Sequence, residues 1–351
     1  MRVLFCSLQY SYARPEWGLS HEFLNLYDAM SHMEGVQASF FAIDERLRAV
    51  GREAMNEELL QTVQELKPDV LFCQLFTEEV KKETIAYITT HTSTQTINWF
   101  GDDHWRFHIY SKAWAPLFSL VATTDAAALP LYQHMGVRAV LTQWAVNPHR
   151  YHPASVPIID VGDKVTFVGQ RYGVRSQYYE LLSKSGLPAQ FFGAGWDGGN
   201  TEFETMLSIF SQSAINLNFT ESPHGQFAQR IKLLGKLLFK KEQGSIQLNI
   251  RQLPQSVRAL PGYQRRQIKG RIFEVLGCGG FLISGNAECL EDYYELGKEL
   301  IVFKNVEELV ERCGYYLHNT AERANIAQMG YRRTLRDHTY EHRFRALFKA
   351  L

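Results

Sequence analysis

Residues Lys269–Ser284 read KGRIFEVLGCGGFLIS. The apolar spacing of Arg271–Leu276 predicts a short helix that ends at glycines and runs directly into a buried strand, Gly280–Ser284. Gly277, Gly279 and Gly280 permit a tight helix-to-strand turn and close backbone approach by a ligand. A helix feeding a fully apolar strand in this way is the repeating step of a wound α/β sheet.

The same step recurs outward in both directions. Before residue 145, apolar runs at Arg2–Leu8, Val36–Ile43, Asp69–Leu75, Gln95–Phe100, Leu117–Thr123 and Arg138–Trp144 read as strands. Amphipathic stretches at Leu19–Met33, Glu53–Lys67, Glu78–His91 and Ala126–Met135 read as the helices between them. The segment AVNPHRYHPASVPIIDVGD (145–163) has three prolines and little periodicity, which predicts a linker. Alternation then resumes with strands at Lys164–Gly169, Ala189–Gly193, Ala214–Phe219, Gly280–Ser284 and Leu300–Phe303 and a helix from Arg175. Three helical stretches, Val306–Asn319, Ala321–Asp337 and His338–Ala350, follow. The fold class expected is α/β, with two Rossmann-like doubly wound domains facing across a cleft. The boundaries are 1–147, a linker at 148–163, a second domain at 164–335 with a basic insertion at about 221–268, and a terminal helix at 336–351 packing back across the domains.

Composition removes several classes. Lysine plus arginine and aspartate plus glutamate both total 37 in 351 residues, so the chain lacks the net positive charge of a nucleic-acid or whole-surface membrane binder. No apolar run approaches the length of a membrane span, and MRVLFCSLQY is too short in apolar residues for a signal-peptide core. Five scattered cysteines without a CxxC pair read as reduced thiols of a cytoplasmic protein. Neutrality is not uniform, however. Between Gly225 and Arg271 there are eleven basic residues against the single acid Glu242. Gln226–Glu242 reads as an amphipathic basic helix; a solvated face is the plain reading, and peripheral contact with an anionic membrane or polyanion, at the inner face of the membrane, is the other.

Several side chains carry chemistry by type and position. Glu274 lies in an otherwise apolar helix, where a carboxylate can accept two hydrogen bonds from a vicinal diol such as a ribose; the plain reading is a half-buried surface glutamate. Asp102, Asp103 and His104 follow the strand ending at Phe100, at the edge of an open sheet where ligands bind. Asp103 is the first choice as general base, then Asp102 or His104; helix capping is the competing role. The loop Gln9–Gly18 contains Tyr12, Arg14, Trp17 and Gly18, suited to stacking on a sugar ring or to packing on the first helix. His338-Thr-Tyr-Glu-His342 has the letters of a zinc motif, but too few residues follow for a third ligand, and no metal is expected. His149 and His152 are equally poor ligands. The glycines around Gly193 and Gly195 lack the third glycine of a dinucleotide fingerprint, so no bound cofactor is expected.

The stretches VTFVGQRYGVR (165–175), FFGAGW (191–196), INLNF (215–219), RIFEVLGCGGFLIS (271–284) and HTYEHR (338–343), with NWFGDDHWRF and QWAVNPHRYHP in the first half, resemble the GT-B glycosyltransferases. Among these they are most similar to the spore-maturation-protein (CgeB-like) group related to glycosyltransferase family 4. The resemblance covers most of the chain, and the second half carries most of its specificity. It implies that Glu274 holds the donor ribose and that Arg175, with Arg171 beside it, meets the donor diphosphate. Lys269, Arg271 or Arg266 would supply a second cation, and backbone amides near Gly270 a partial positive field. The sugar-facing glutamate of retaining relatives falls on Arg266, so the stereochemical outcome stays open.

The expectation is therefore a metal-independent glycosyltransferase of the hexosyltransferase type. Its co-substrate would be a nucleoside-diphosphate sugar such as a UDP-sugar, and its acceptor a glycan, lipid-linked or protein hydroxyl. The alternatives are a sugar-nucleotide epimerase or hydrolase on the same fold, or a non-catalytic sugar-nucleotide or glycan-binding protein.

Overall fold

The computed structural model describes residues 1–221, 239–242, 245–248, 258, 262 and 265–351. The chain forms two compact units. The first is built on Met1–Gln143 and takes in Tyr340–Leu351; the second is built on residues between Trp144 and Thr339.

In the first unit, β1 (Arg2–Ser7), β2 (Gln37–Ala42), β3 (Val70–Cys73), β4 (Gln95–Phe100), β5 (Leu120–Thr123) and β6 (Ala139–Leu141) form one sheet. Its order is β2-β1-β3-β4-β5-β6, and every pairing is parallel. The central strands are buried throughout because helices cover both faces, which is why they read as unbroken apolar runs. The helix α1 (Ile43–Leu66) begins at the end of β2, well before the expected Glu53, and is interrupted at Gly51, whose φ of 81° only glycine adopts readily. The helix α2 (Lys82–His91) precedes β4. The expected helix Leu19–Met33 is instead a π-helical stretch, Glu22–Tyr27, running into Asp28–Ser31.

In the second unit, β7 (Val165–Val168), β8 (Ala189–Phe192), β9 (Ile215–Asn218), β12 (Leu282–Gly285) and β13 (Ile301–Phe303) form a parallel sheet in the order β13-β12-β9-β7-β8. Counted by appearance within each unit, both sheets begin with the same winding: the second strand lies outside the first, and the third lies on its other side. Each therefore has a switch point, between β1 and β3 and between β7 and β9. Crevices beyond the carboxyl ends of strands at such points are where open α/β sheets bind ligands.

The helices α3 (Arg175–Lys184), α4 (Phe203–Gln212), α5 (Gly270–Gly277), α6 (Val306–His318) and α7 (Thr320–Asp337) surround this sheet. The helix α4, whose buried face is Leu207, Ile209 and Phe210, is not among the elements expected from the sequence. The sequence predicts a basic helix through Glu242, but Phe239–Glu242 is the strand β10, paired antiparallel with β11 (Ser245–Leu248). Residues 226–238 lie outside the described residues.

Residues 148–163, expected to be a linker, pack on the second unit. Tyr151 and Val161 enter its core, and the Ala154 and Ile158 amides donate to the Ser211 and Ser208 hydroxyls at 2.9 Å each. The prolines end regular structure there without freeing the segment. Just inside this unit, the outgoing and returning chains are joined: the Val146 amide donates to the His338 carbonyl at 3.0 Å, and Val146 bridges Thr339. The closing helix α8 (Tyr340–Lys349) belongs to the first unit, where Phe344 meets Phe72 edge to face at 5.5 Å and the Tyr340 hydroxyl lies 3.1 Å from His21 Nε2.

Candidate functional site

At the switch point of the second sheet, the chain leaves β7 through Gly169 and enters α3 at Arg175. That side chain is only 8% exposed. Arg175 Nη1 donates to the Gln170 carbonyl at 2.8 Å, and the guanidinium lies 3.8 Å over Tyr172 and 4.9 Å over Phe167. Burial pulls the guanidinium below its ordinary value, while Tyr172 and Glu221 act in the opposite sense and Arg271 repels it. Its Nε is buried with no partner among the described residues. A cation desolvated in the first turn of a helix, against the field of the helix, is a costly arrangement.

Glu221, just beyond β9, stands on the other side of the switch point. Its Oε1 accepts from the Tyr178 hydroxyl at 3.1 Å and lies 3.5 Å from Arg266 Nη2. The sequence reading passed over Glu221. Its signal was an acid directly after a buried strand, Asn218-Phe-Thr-Glu221.

Glu274 is 4% exposed on α5 and is not a lone carboxylate. Arg271, one turn earlier, places Nη1 2.7 Å from Glu274 Oε2. The same guanidinium lies 4.8 Å over Phe210, with Nη1 3.2 Å from the Met206 sulfur. Arg271 thus serves Glu274 first. Gly270 opens α5; Lys269 precedes it as the N-cap without a side-chain capping bond, its Nζ donating to Gln267 Oε1 at 3.2 Å. Arg171 is turned onto the neighbouring loop, 3.0 Å from Ser176 Oγ and 5.0 Å over Trp196.

The tight turn expected after α5 is present at Gly279. Gly279 takes φ 74°, and a Cβ on Gly280 would stand 2.2 Å from the Phe210 carbonyl. A Cβ on Gly193 would stand 2.5 Å from the Gly169 carbonyl. The close approach at these positions is made by the protein's own backbone.

In the first unit, the structure separates the three residues after β4. Asp103 is 2% exposed, and its Oδ2 accepts from the Thr123 hydroxyl at 2.6 Å and the Tyr132 hydroxyl at 2.7 Å. Burial pushes its carboxyl up to about 6, against the opposing hydroxyls of Ser111, Thr123 and Tyr132. A carboxylate enclosed by its own unit in this way is poorly placed to reach an acceptor. Asp102 and His104 are half-buried, and Asp102 occupies the N-cap position without a side-chain capping bond. Capping, the competing role for this pair, is not how Asp102 is used.

The loop after β1 presents Tyr12 and Trp17 at 76% and 54% exposure, edge to face at 5.5 Å, with Arg14 4.7 Å over Trp17. Tyr12 and Ala13 take φ 54° and 59°, and Gly18 takes 76°. Consecutive non-glycine residues in the left-handed region persist only where their surroundings impose them. The entry to this loop is held by Asp44, buried at the start of α1, whose oxygens accept from the Gln9 and Tyr10 amides at 2.8 and 3.0 Å. With the helix expected to start only at Glu53, Asp44 carried no signal.

His338 donates through Nε2 to the Tyr293 carbonyl at 2.7 Å. Among the described residues no three histidine, cysteine or acidic side chains gather as metal ligands, and no helix is long and apolar enough to cross a membrane.

Residues 242–349 match the family model described as "Glycosyl transferase-like". This span contains Arg266, Lys269, Gly270, Arg271 and Glu274. No protein of curated function matches the chain in sequence. Among solved structures, HepE from Anabaena in complex with UDP-glucose is similar over 100% of both chains, at 12% identity and a TM-score of 0.60. Sucrose-phosphate synthase from Thermosynechococcus elongatus is similar over 100% of both chains, at 9% identity and a TM-score of 0.61. A putative UDP-N-acetylglucosamine 2-epimerase from Listeria monocytogenes is similar over 99% of this chain and 96% of its own, at 10% identity and a TM-score of 0.54. The two Rossmann-like sheets thus have the GT-B architecture of these structures.

Proposed function

We propose that the protein is a metal-independent glycosyltransferase, of the CgeB-like kind related to family 4, that moves a sugar from a nucleoside-diphosphate sugar to a hydroxyl acceptor. The observation that supports this reading best is the Arg271–Glu274 pair at the start of α5, inside the segment that matches the glycosyl transferase-like model, with Arg271 acting on the buried Arg175 and Glu221 joining Arg175 to Arg266 by charge.

Each group has a stated task. Arg175 and Arg266 meet the diphosphate and carry the charge that develops on the leaving group, a guanidinium fork being matched to phosphate oxygens. The amides at the start of α5, near Gly270 and Lys269, add a positive field, and Arg171 precedes Arg175 in the loop after β7. Glu274, oriented by Arg271, accepts the ribose hydroxyls. On the acceptor side, Asp102 replaces Asp103 as the base that takes the proton of the attacking hydroxyl, with His104 beside it. Tyr12, Arg14 and Trp17 offer a stacking surface to the acceptor, which is a glycan, a lipid-linked sugar or a protein hydroxyl. Five free cysteines, four of them buried, support a cytoplasmic setting.

A thermal-shift screen of UDP-, GDP-, ADP- and dTDP-sugars against the wild type and Arg175→Ala tests the donor site. One donor class should stabilise the wild type and leave the variant unmoved; indifference of both to every donor would overturn the assignment. The likeness to the putative epimerase keeps a second reading open, an epimerase or hydrolase on the same donor site. Transfer of labelled sugar to an acceptor, against its isomerisation or release in free form, separates the two.

A further inference from the structure

Glu221 is an acid that acts on two of the proposed diphosphate cations. It follows β9 as Arg175 follows β7, so the two come from the strands that flank the switch point of the second sheet. Its Oε1 is held by the Tyr178 hydroxyl at 3.1 Å and lies 3.5 Å from Arg266 Nη2. Its charge also acts on the buried Arg175. Its Oε2 is buried with no partner among the described residues. In this state the carboxylate occupies, electrostatically, the place of an anionic ligand.

We propose that Glu221 is a resident counter-anion of the diphosphate site, a specificity-determining residue that weakens binding in proportion to the negative charge of the ligand. The inference rests on the donor-site reading above. A nucleoside-diphosphate sugar is a diphosphate esterified at both ends, whereas the nucleoside diphosphate released after transfer has a terminal phosphate with a further ionisable oxygen. Repulsion between carboxylate and phosphate grows with that charge. Glu221 therefore opposes the product more than the donor and favours product release, and between turnovers it offsets part of the positive charge of the two guanidinium groups.

Titration calorimetry on the full chain tests this with UDP, UDP-glucose and inorganic pyrophosphate as probes, comparing wild type with Glu221→Gln. The variant is expected to bind UDP and pyrophosphate about tenfold more tightly, and UDP-glucose with a smaller gain. Tyr178→Phe, which keeps the charge, should bind all three as the wild type does. Unchanged or weaker binding of UDP by a folded Glu221→Gln protein would overturn the proposal while leaving the donor site in place, since Glu221 would then merely position Arg266. If pyrophosphate and UDP, GDP, ADP and dTDP bind neither protein, the donor-site reading falls and this inference with it. Glu221→Ser removes the same charge should the glutamine variant fail to fold.

Discussion

Arg271 and Glu274 form an ion pair across one turn of α5, at 2.7 Å, with the carboxylate buried and the guanidinium backed by Phe210. One residue's job thereby becomes a condition of the other's: a glutamate that is to receive a ribose is first aimed by an arginine.

Glu274→Gln keeps the shape of that side chain and removes its charge, leaving Arg271 without its nearest counter-ion. Unfolding free energy, read from urea midpoints, should fall by about 1–2 kcal/mol. Donor affinity should fall about tenfold, the equivalent of one charged hydrogen bond. A variant that loses stability but binds the donor as the wild type does would remove the ribose from this position.

Asp103 makes stability depend on pH in a direction opposite to that of a salt-bridged acid. An ordinary aspartate ionises near 3.8, whereas Asp103 keeps its proton until about 6. Between those values the folded protein binds more protons than the unfolded chain. The stabilising contribution is full below the lower value, declines as pH rises through 6, and is absent above it. A displacement of about two pH units corresponds to about 3 kcal/mol. Asp103→Asn should therefore gain on the wild type as pH rises, with urea midpoints at pH 4 and pH 7.5 showing a difference that opens between them. A difference independent of pH would mean that this carboxyl does not titrate in that interval.

Asp44→Ala removes both acceptors of the Gln9 and Tyr10 amides. Two backbone donors left unpaired in a partly buried place cost about 2 kcal/mol in stability. Amide hydrogen exchange should speed up at Gln9 and Tyr10 before it does in β1. Unchanged protection at those two amides would show that the loop is held by other means.

Two glycines should respond to alanine with opposite signs. A methyl group at Gly280 would meet the Phe210 carbonyl at 2.2 Å, and Gly280→Ala should cost about 2–3 kcal/mol. Gly314, inside α6, has nothing within 4 Å of its added Cβ, and Gly314→Ala should stabilise by about 1 kcal/mol. Thermal denaturation of the pair checks both at once.

Much of the fold was legible because parallel strands covered on both faces leave unbroken apolar runs. Gln95–Phe100 was placed to the residue, and most other strands to within a few positions. The helices misread were those whose pattern is weak: the start of α1 is broken by Gly51, and α4 sits between two loops. Of the site, the residue types were legible but not their pairing. Nothing in the spacing distinguished the enclosed Asp103 from the half-buried Asp102, because Thr123 and Tyr132, which enclose it, arrive from later in the chain. Glu221 showed only as an acid after a buried strand, its meaning depending on Arg175 and Arg266 from other loops.

The aromatic side chains that α8 contributes to the first unit set an order on biosynthesis. When residue 143 leaves the ribosome, all six strands of that sheet have been made, yet Tyr340 and Phe344, which cover Trp99 and Phe72, have not. The first lobe must wait, with part of its core uncovered, until the second lobe has been translated. An expression boundary drawn after Gln143 would cut off a missing piece of its interior.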